Sequence, residues 1–348
     1  MKVLSIVGAR PQFVKLAPIS WAARGQIDHQ ILHTGQHYDP LLSENFFREL
    51  SIPNPNFQLD IGSGKHGEQT GRMLIEIEKI LLASNPDHVI VYGDTNSTLA
   101  GALAASKLNI AISHIEAGLR SFNRRMPEEV NRIITDHCSS LLFAPTQTAI
   151  NNLKNEGLEK ISFLAGDVMV ETLEYIKRKP ITQSHPNQYI FATIHRAENT
   201  DDFDRLNQIV SKFRRSKVQV HLHCHPRLIK VLKEHKLNVN SENLLFLPPL
   251  DYVSTISKVS GSVGVITDSG GLQKESYILN KPCLVVRYES EWVEALTEGR
   301  NFLDPELSRV SENWWAEKML TPTKNVFGDG KASKYIVDEI RHYILSKT

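Results

Sequence analysis

The sequence predicts an α/β protein of two Rossmann-like domains facing a central cleft, and three observations carry that expectation. Short apolar runs at residues 3–7, 30–33, 89–92, 110–115 and 140–144 alternate with helical patterns. The alternation begins again at 189–194, 218–223, 244–247, 263–267 and 283–286. Between them, from Gly166 to Gln188, the pattern weakens across a polar stretch bracketed by Lys179-Pro180 and His185-Pro186. Repeated βα units imply parallel sheets, whose strands are buried on both faces and therefore read as unbroken apolar runs. The chain has 348 residues, enough for two cores. The expected domains are 1–166, completed by a C-terminal helix at 331–348, and 167–330. Run 140–144 is expected to end the first half, with a helix over 146–156 leading to the crossover.

Composition narrows the function. Forty basic and 39 acidic side chains give a formal net charge of +1 without a long run of either sign, which argues against a nucleic-acid surface or a polybasic membrane anchor. A small polar substrate fits better. Cys138, Cys224 and Cys283 are odd in number, widely spaced and set among apolar or strand-like residues, so reduced, buried thiols and a cytoplasmic location are expected. The apolar run after Met1-Lys2 is too short for a signal peptide, and no run of about 18 apolar residues follows.

In open α/β sheets ligands bind beyond the carboxyl ends of the strands. Asp94 follows run 89–92, Glu116 follows run 110–115, and Glu128 and Glu129 open a helix after Pro127. Asp94, Glu116 and Glu128 are therefore expected to converge, although Asp94 also reads plainly as a helix cap, and Glu128 and Glu129 as partners of a helix dipole. After the first run, Gly8-Ala9-Arg10 turns into a helix carrying Lys15. Gly8 permits close backbone approach, and Arg10, Lys15 and the helix N-terminus supply positive potential, so the turn reads as an anion cradle. The GxGxxG fingerprint of a nicotinamide site is missing. A Walker A reading of Gly64-Lys65 fails, because Leu59 stands where a glycine is needed and His66 where Ser or Thr is needed.

In the second half, His195 and Arg196 follow a strand end, where an imidazole can carry a proton or bind a diphosphate. His221, His223 and His225 alternate like a metal triad, but such a strand face spans about 13 Å, too far for one ion. His225, followed by Pro226 and Arg227, is expected to line the cleft instead. Thr267-Asp268-Ser269-Gly270-Gly271-Leu272-Gln273-Lys274-Glu275 is the strongest local signal. Gly270 and Gly271 let a diphosphate approach a helix N-terminus, Ser269 donates to it, and Glu275 accepts from the two hydroxyls of a ribose.

Together these stretches, GARPQFVK, HTGQHYD, HGEQTGRML, GDTNSTLAGALAA, HIEAGLRS, MPEEVNRIITDH, IHRAEN, HPR and DSGGLQKES, resemble the non-hydrolysing UDP-N-acetylglucosamine 2-epimerases. That family has the two-domain GT-B fold it shares with one class of glycosyltransferases. The resemblance covers nearly the whole chain. It implies Asp94, Glu116, Glu128 and His195 as the catalytic set, and Arg10, Ser269, Gly270, Gly271 and Glu275 as the UDP-binding set, with no metal, nicotinamide or pyridoxal. The partner it implies is a UDP-sugar, and the assembly a homodimer. One stretch departs from the family. Where its members usually read TERPE, this chain has Arg287-Tyr288-Glu289-Ser290-Glu291-Trp292-Val293-Glu294. With RSFNRRMPEE, GDVM and GDGKAS, this looks like the branch that epimerises UDP-2,3-diacetamido-2,3-dideoxy-glucuronate for surface polysaccharide. A uronate needs extra cations; Arg124, Arg125 and Arg287 are available, Lys274 stands where many relatives have an acid, and Trp292 is placed to bound the sugar pocket.

The chemistry the resemblance implies is loss of the C2 proton and of UDP to a glycal-type intermediate, followed by readdition of UDP. This needs a base, an acid on the other face and cations for the diphosphate. A glycosyltransferase would share the ribose glutamate and diphosphate loop but has no reason to keep three carboxylates on the opposing domain. A hydrolysing epimerase would release UDP to water. A catalytically dead sensor would not need the intact acid set.

Overall fold

The structure is a computed structural model and describes residues 1–36, 40–179, 188–237, 240–290, 292–297, 300–316 and 326–347. It divides into two compact units, Met1–Glu174 with Asn325–Thr348, and Tyr175–Lys324.

The first unit holds a seven-stranded sheet in the order β3-β2-β1-β4-β5-β6-β7. Its strands are β1 Lys2–Val7, β2 Asp28–His33, β3 Phe57–Gln58, β4 His88–Tyr92, β5 Ala111–Ile115, β6 Leu141–Ala144 and β7 Ser162–Leu164. In the second unit, six strands run β10-β9-β8-β11-β12-β13. They are β8 Tyr189–Thr193, β9 Gln219–His223, β10 Leu244–Leu247, β11 Gly264–Thr267, β12 Cys283–Val285 and β13 Asn301–Leu303. Every pairing between these strands is parallel. Both orders contain the Rossmann sequence, with the reversal between β1 and β4 in one sheet and between β8 and β11 in the other. Each unit is thus a Rossmann-like α/β domain, and the fold class is the GT-B type. Burial explains the apolar runs: β4, β6 and β11 are buried at every position.

Three strands escaped the sequence pattern, β3, β7 and β13, each two or three residues long and partly exposed. A run that short carries no periodicity. The first sheet consequently extends past residue 144, to β7. The chain also stays with the first unit longer than 166. In the helix Met169–Lys177 the Thr172 hydroxyl donates to the Val14 carbonyl at 2.8 Å, and Glu171 accepts from the Ser333 amide at 2.9 Å. Asp167 N–H donates to the Phe327 carbonyl at 2.8 Å, which draws in the segment before the C-terminal helix Ala332–Leu345. That helix packs on the helix Arg10–Ala23.

Cys224 and Cys283 are buried thiols that burial pushes up to about 12, whereas Cys138 is partly exposed. Among the described residues no helix is long and apolar enough to cross a membrane.

His88 on β4 illustrates how the core responds to acid. It is fully buried, shares a 2.7 Å hydrogen bond with the Ser113 hydroxyl and meets the Tyr343 ring edge-on. Burial pushes its pKa down from 6.5 to about 3. Because the folded value lies below the unfolded one, the stabilisation is complete above about pH 6.5 and is lost as pH falls toward 3. From pH 7 to pH 5 this ring alone is expected to remove on the order of 2 kcal/mol, read as a falling Tm. His88→Gln keeps a donor for Ser113 and should flatten that fall; an equally steep fall in the variant would assign the acid sensitivity to other groups.

Candidate active site

At the end of β4 the register pairs Tyr92 with Ile115, so Gly93 lies beside the tip of β5, its N–H donating to the Ile115 carbonyl at 3.0 Å. Gly93 has φ +62, and a Cβ there would stand 2.9 Å from Lys15 Nζ and 3.3 Å from Glu116 Oε2. Only glycine leaves room for that pair. Glu116 itself adopts left-handed backbone, φ 71. It is held there because its N–H and that of Ala117 both donate to the Phe143 carbonyl of β6, at 3.1 Å. A non-glycine residue in this region costs roughly 1–3 kcal/mol and persists where the surroundings impose it. The Glu116 carboxylate forms an ion pair with Lys15, both side chains being 9% exposed.

Asp94 does not cap the following helix; Thr95 does, its hydroxyl accepting from Thr98 N–H. The Asp94 carboxylate instead meets the guanidinium of Arg132, which also holds Glu129 at 2.8 Å. Asn131 donates to the Asp94 carbonyl at 2.9 Å. Glu129, buried, accepts from Ser121 N–H at 2.9 Å, from the Ser121 hydroxyl at 3.0 Å and from Phe122 N–H at 2.9 Å, fixing the loop before the helix Pro127–Cys138. Glu128 in the first turn of that helix is exposed and makes no hydrogen bond or ion pair with a described residue. Three acids therefore sit in three settings: one neutralised by a lysine, one shared with an arginine, and one facing solvent.

The anion cradle expected at Gly8 is not what the turn forms. The Gly8 and Ala9 amides both donate to Gln12 Oε1, at 2.7 and 3.0 Å, and a Cβ at Gly8 would overlap the Thr34 and Ser97 hydroxyls. The close approach that glycine permits is used by the protein's own side chains. Lys15 is turned to Glu116, and exposed Arg10 lies with its guanidinium carbon 5.3 Å from the Phe46 ring centre.

The reversal point of the second sheet carries the other residues. Thr193 and Thr267 hydroxyls meet at 2.8 Å, bringing the ends of β8 and β11 together. Asp268, fully buried, accepts from His195 N–H at 3.0 Å, Arg196 N–H at 3.0 Å and Asn199 Nδ2 at 3.1 Å. Its Oδ1 lies 3.1 Å from His195 Nδ1, which orients a ring whose side chain is 47% exposed. Ser269 caps the helix Gly270–Ile278, its hydroxyl accepting from Leu272 N–H and keeping a proton to donate. Around Gly271 a Cβ would meet nothing within 4 Å, so the helix N-terminus is open to an anion. Glu275 is buried and accepts from the Tyr252 hydroxyl at 2.8 Å.

His221 and His223 are packing residues: their rings stack on Tyr189 and Phe191, at 4.5 and 4.9 Å. His225 is exposed beyond the end of β9; the side chain of Arg227 lies outside the described residues, as does Glu291. Arg124 and Arg125 are exposed, whereas Arg287 is buried. Trp292, expected as a wall of the sugar pocket, is buried with Lys274 Nζ 4.3 Å from its ring centre. A desolvated ammonium on an indole face is a favourable pairing, so these two departures serve each other. Ser290 ties the same loop to the helix by donating to Gln273 Oε1 at 2.7 Å.

The sequence pattern of the UDP-N-acetylglucosamine 2-epimerase family matches residues 20–341. A UDP-N-acetylglucosamine 2-epimerase homolog from Methanococcus maripaludis is 47% identical, covering 98% of this chain and all of the relative. The chain belongs to this epimerase family. Its enzyme class is isomerase. The UDP-2,3-diacetamido-2,3-dideoxy-D-glucuronate 2-epimerase of Pseudomonas aeruginosa is 46% identical, over 97% of this chain and 99% of the relative. The Methanocaldococcus jannaschii UDP-GlcNAc 2-epimerase, solved in complex with UDP-GlcNAc and UDP, superposes with a TM-score of 0.89 at 41% identity, covering 98% of this chain and all of the other.

Within this epimerase, residues that position the acids went unsingled in the sequence although they stand inside its motifs. Arg132 lies four residues after Glu128 and three after Glu129, a spacing that shares a helix face, and it was the signal available. Asp268 stands directly before the Ser269-Gly270-Gly271 turn, although the groups it holds are His195, Arg196 and Asn199. Tyr252 gave no signal, since its partner is 23 positions away.

Proposed function

We propose that the chain epimerises C2 of a UDP-2-acetamido sugar without hydrolysis, by eliminating UDP and adding it back to the opposite face. The observation that supports this most is the acid set of the first unit, in which Glu116 is neutralised by Lys15, Asp94 is shared with Arg132, and exposed Glu128 has no partner among the described residues. Acids in unlike settings can take unlike protonation states, as a base and an opposing acid require. In the second unit, the open helix N-terminus at Gly270 and Gly271 suits a diphosphate, Glu275 a ribose and His195 the phosphate or a proton. Arg10, Lys15, His225 and Arg287 complete the proposed substrate set. A cytoplasmic homodimer serving surface-polysaccharide synthesis goes with this reading.

For the substrate we favour UDP-2,3-diacetamido-2,3-dideoxy-glucuronate, converted to its manno epimer, on the 46% identity to the Pseudomonas enzyme and the resemblance of residues 287–294 to that branch. UDP-N-acetylglucosamine is the second reading, favoured by the Lys274–Trp292 contact, which accounts for those departures by packing. Incubating each sugar in deuterated water and following C2 by proton NMR tests both levels. Product should carry deuterium at C2, and the uronate should be used with a specificity constant at least about a hundredfold higher, an amount one well-placed ion pair supplies. Retained hydrogen at C2 would remove the proton-transfer mechanism, free UDP without returned epimer would mark a hydrolase, and comparable use of UDP-N-acetylglucosamine would move the protein to the second reading.

A further inference from the structure

Beneath the two strand ends that carry Asp94 and Glu116 lies a group the mechanism above does not use. His114, on β5, is fully buried. Its Nε2 lies 2.7 Å from the Gly93 carbonyl and its Nδ1 2.6 Å from Asp136 Oδ1, on the helix Pro127–Cys138. Asp136 is also fully buried, and its Oδ2 accepts from Gly118 N–H at 3.2 Å and from Arg120 at 2.7 Å. Arg120 in turn holds Glu156 through two hydrogen bonds of 2.7 Å. His137 lies 3.3 Å from Glu156, at the rim of the group.

The hydrogen-bond inventory limits the states open to the ring. A carbonyl has no proton to give, so Nε2 must donate to Gly93. A neutral imidazole then has only a lone pair at Nδ1, which would face the carboxylate oxygen at 2.6 Å. A proton on Asp136 would also satisfy that contact, but its Oδ2 accepts from the Arg120 guanidinium at 2.7 Å and from Gly118 N–H, and both favour the carboxylate. Burial by itself raises that carboxyl, but His114 and Arg120 together hold it below the ordinary range. Two buried cations, His114 and Arg120, are then balanced by two anions, Asp136 and Glu156, as buried charges require.

We propose that His114 is a positioning residue that donates from both ring nitrogens, and that this imidazolium with Asp136 locks together the three segments bearing the acid set. The Gly93 carbonyl precedes Asp94, the Gly118 amide follows Glu116 by two residues, and Asp136 shares its helix with Glu128 and Arg132. Gly93 and Glu116 both have left-handed backbone, so the lock fixes the least relaxed part of the site. An acid displaced by about 1 Å from its target loses roughly a hundredfold in rate. This inference rests on the epimerase reading of that acid set.

The test has two independent readouts. In the wild-type protein carrying nitrogen-15 histidine, the ring hydrogen-bonded to the Gly93 carbonyl should show both nitrogens protonated. A bare nitrogen on that ring overturns the proposal. His114→Gln and Asp136→Asn, measured on folded protein, should each lower kcat at least about thirtyfold with KM and UDP affinity within threefold. A purely structural role would lower Tm and leave kcat of the folded fraction within twofold, and that result also overturns it. Should neither variant fold, the ring readout decides alone. A wild-type control in deuterated water separates the two readings: absence of C2 exchange with any UDP-sugar would fail the epimerase assignment while the ring readout stands by itself.

Discussion

Glu116→Gln is expected to lower turnover by at least about a hundredfold while leaving UDP affinity within a few-fold. The change is nearly isosteric, so little packing is lost, but the proton-carrying group disappears. It also leaves the Lys15 ammonium, 9% exposed, without the anion it now holds. Removing one partner of a buried pair costs about 3–5 kcal/mol, and this pair, not wholly sealed, should fall at the lower end. Two effects are therefore superposed, and a double variant separates them. Lys15→Met with Glu116→Gln should recover much of the lost Tm, since no unpaired charge remains, yet recover none of the turnover. Recovery of both together would make Glu116 an element of stability rather than of catalysis. Asp94→Asn and Glu128→Gln should give losses of at least a similar size, and a wild-type rate in either would remove that residue from the set. Glu128→Gln should do so with no change in Tm, because Glu128 makes no hydrogen bond or ion pair with a described residue.

Asp268→Asn is expected to have the second largest effect, on turnover and on stability together. The carboxylate accepts two backbone amides and the Asn199 side chain while holding His195 Nδ1. An amide in its place turns an N–H group toward donors, and each buried donor left unmade costs about 1–3 kcal/mol. Turnover should drop by about a hundredfold, because the His195 ring loses the group that sets its orientation and its protonated nitrogen. If Asp268 acts through His195, turnover of the double variant Asp268→Asn with His195→Gln should be no worse than that of the worse single variant. Multiplied losses would show that Asp268 serves the reaction independently, and an undiminished rate in Asp268→Asn would show that the ring needs no such support.

Much of this was legible before the structure. Runs such as 89–92 and 283–286 could only be strands buried on both faces, and Gly93-Asp94, Glu116 and Asp268-Ser269-Gly270-Gly271 follow such runs directly. Since parallel strands place their carboxyl ends on one edge, strand assignment already placed those residues on the ligand side. The reading at Gly8 went astray for an equally physical reason. A glycine reports that something approaches the backbone closely; it does not report whether a ligand or the chain's own Thr34 and Ser97 does so. Trp292 shows the same ambiguity, for an indole near a motif fits a pocket wall or a buried lysine equally well.

The sequence by itself determined the longer strands, their parallel arrangement and which residues stand at their ends, because those follow from local periodicity and the geometry of the βα unit. Only the tertiary structure decided which acids are neutralised and which face solvent. Glu116 meets Lys15 across 101 positions, Asp94 meets Arg132 across 38, and His114 meets Asp136 across 22. The protonation and orientation of a carboxylate depend on charges within a few ångströms in space, and neighbours at that distance are chosen by how strands and helices pack, not by their order along the chain.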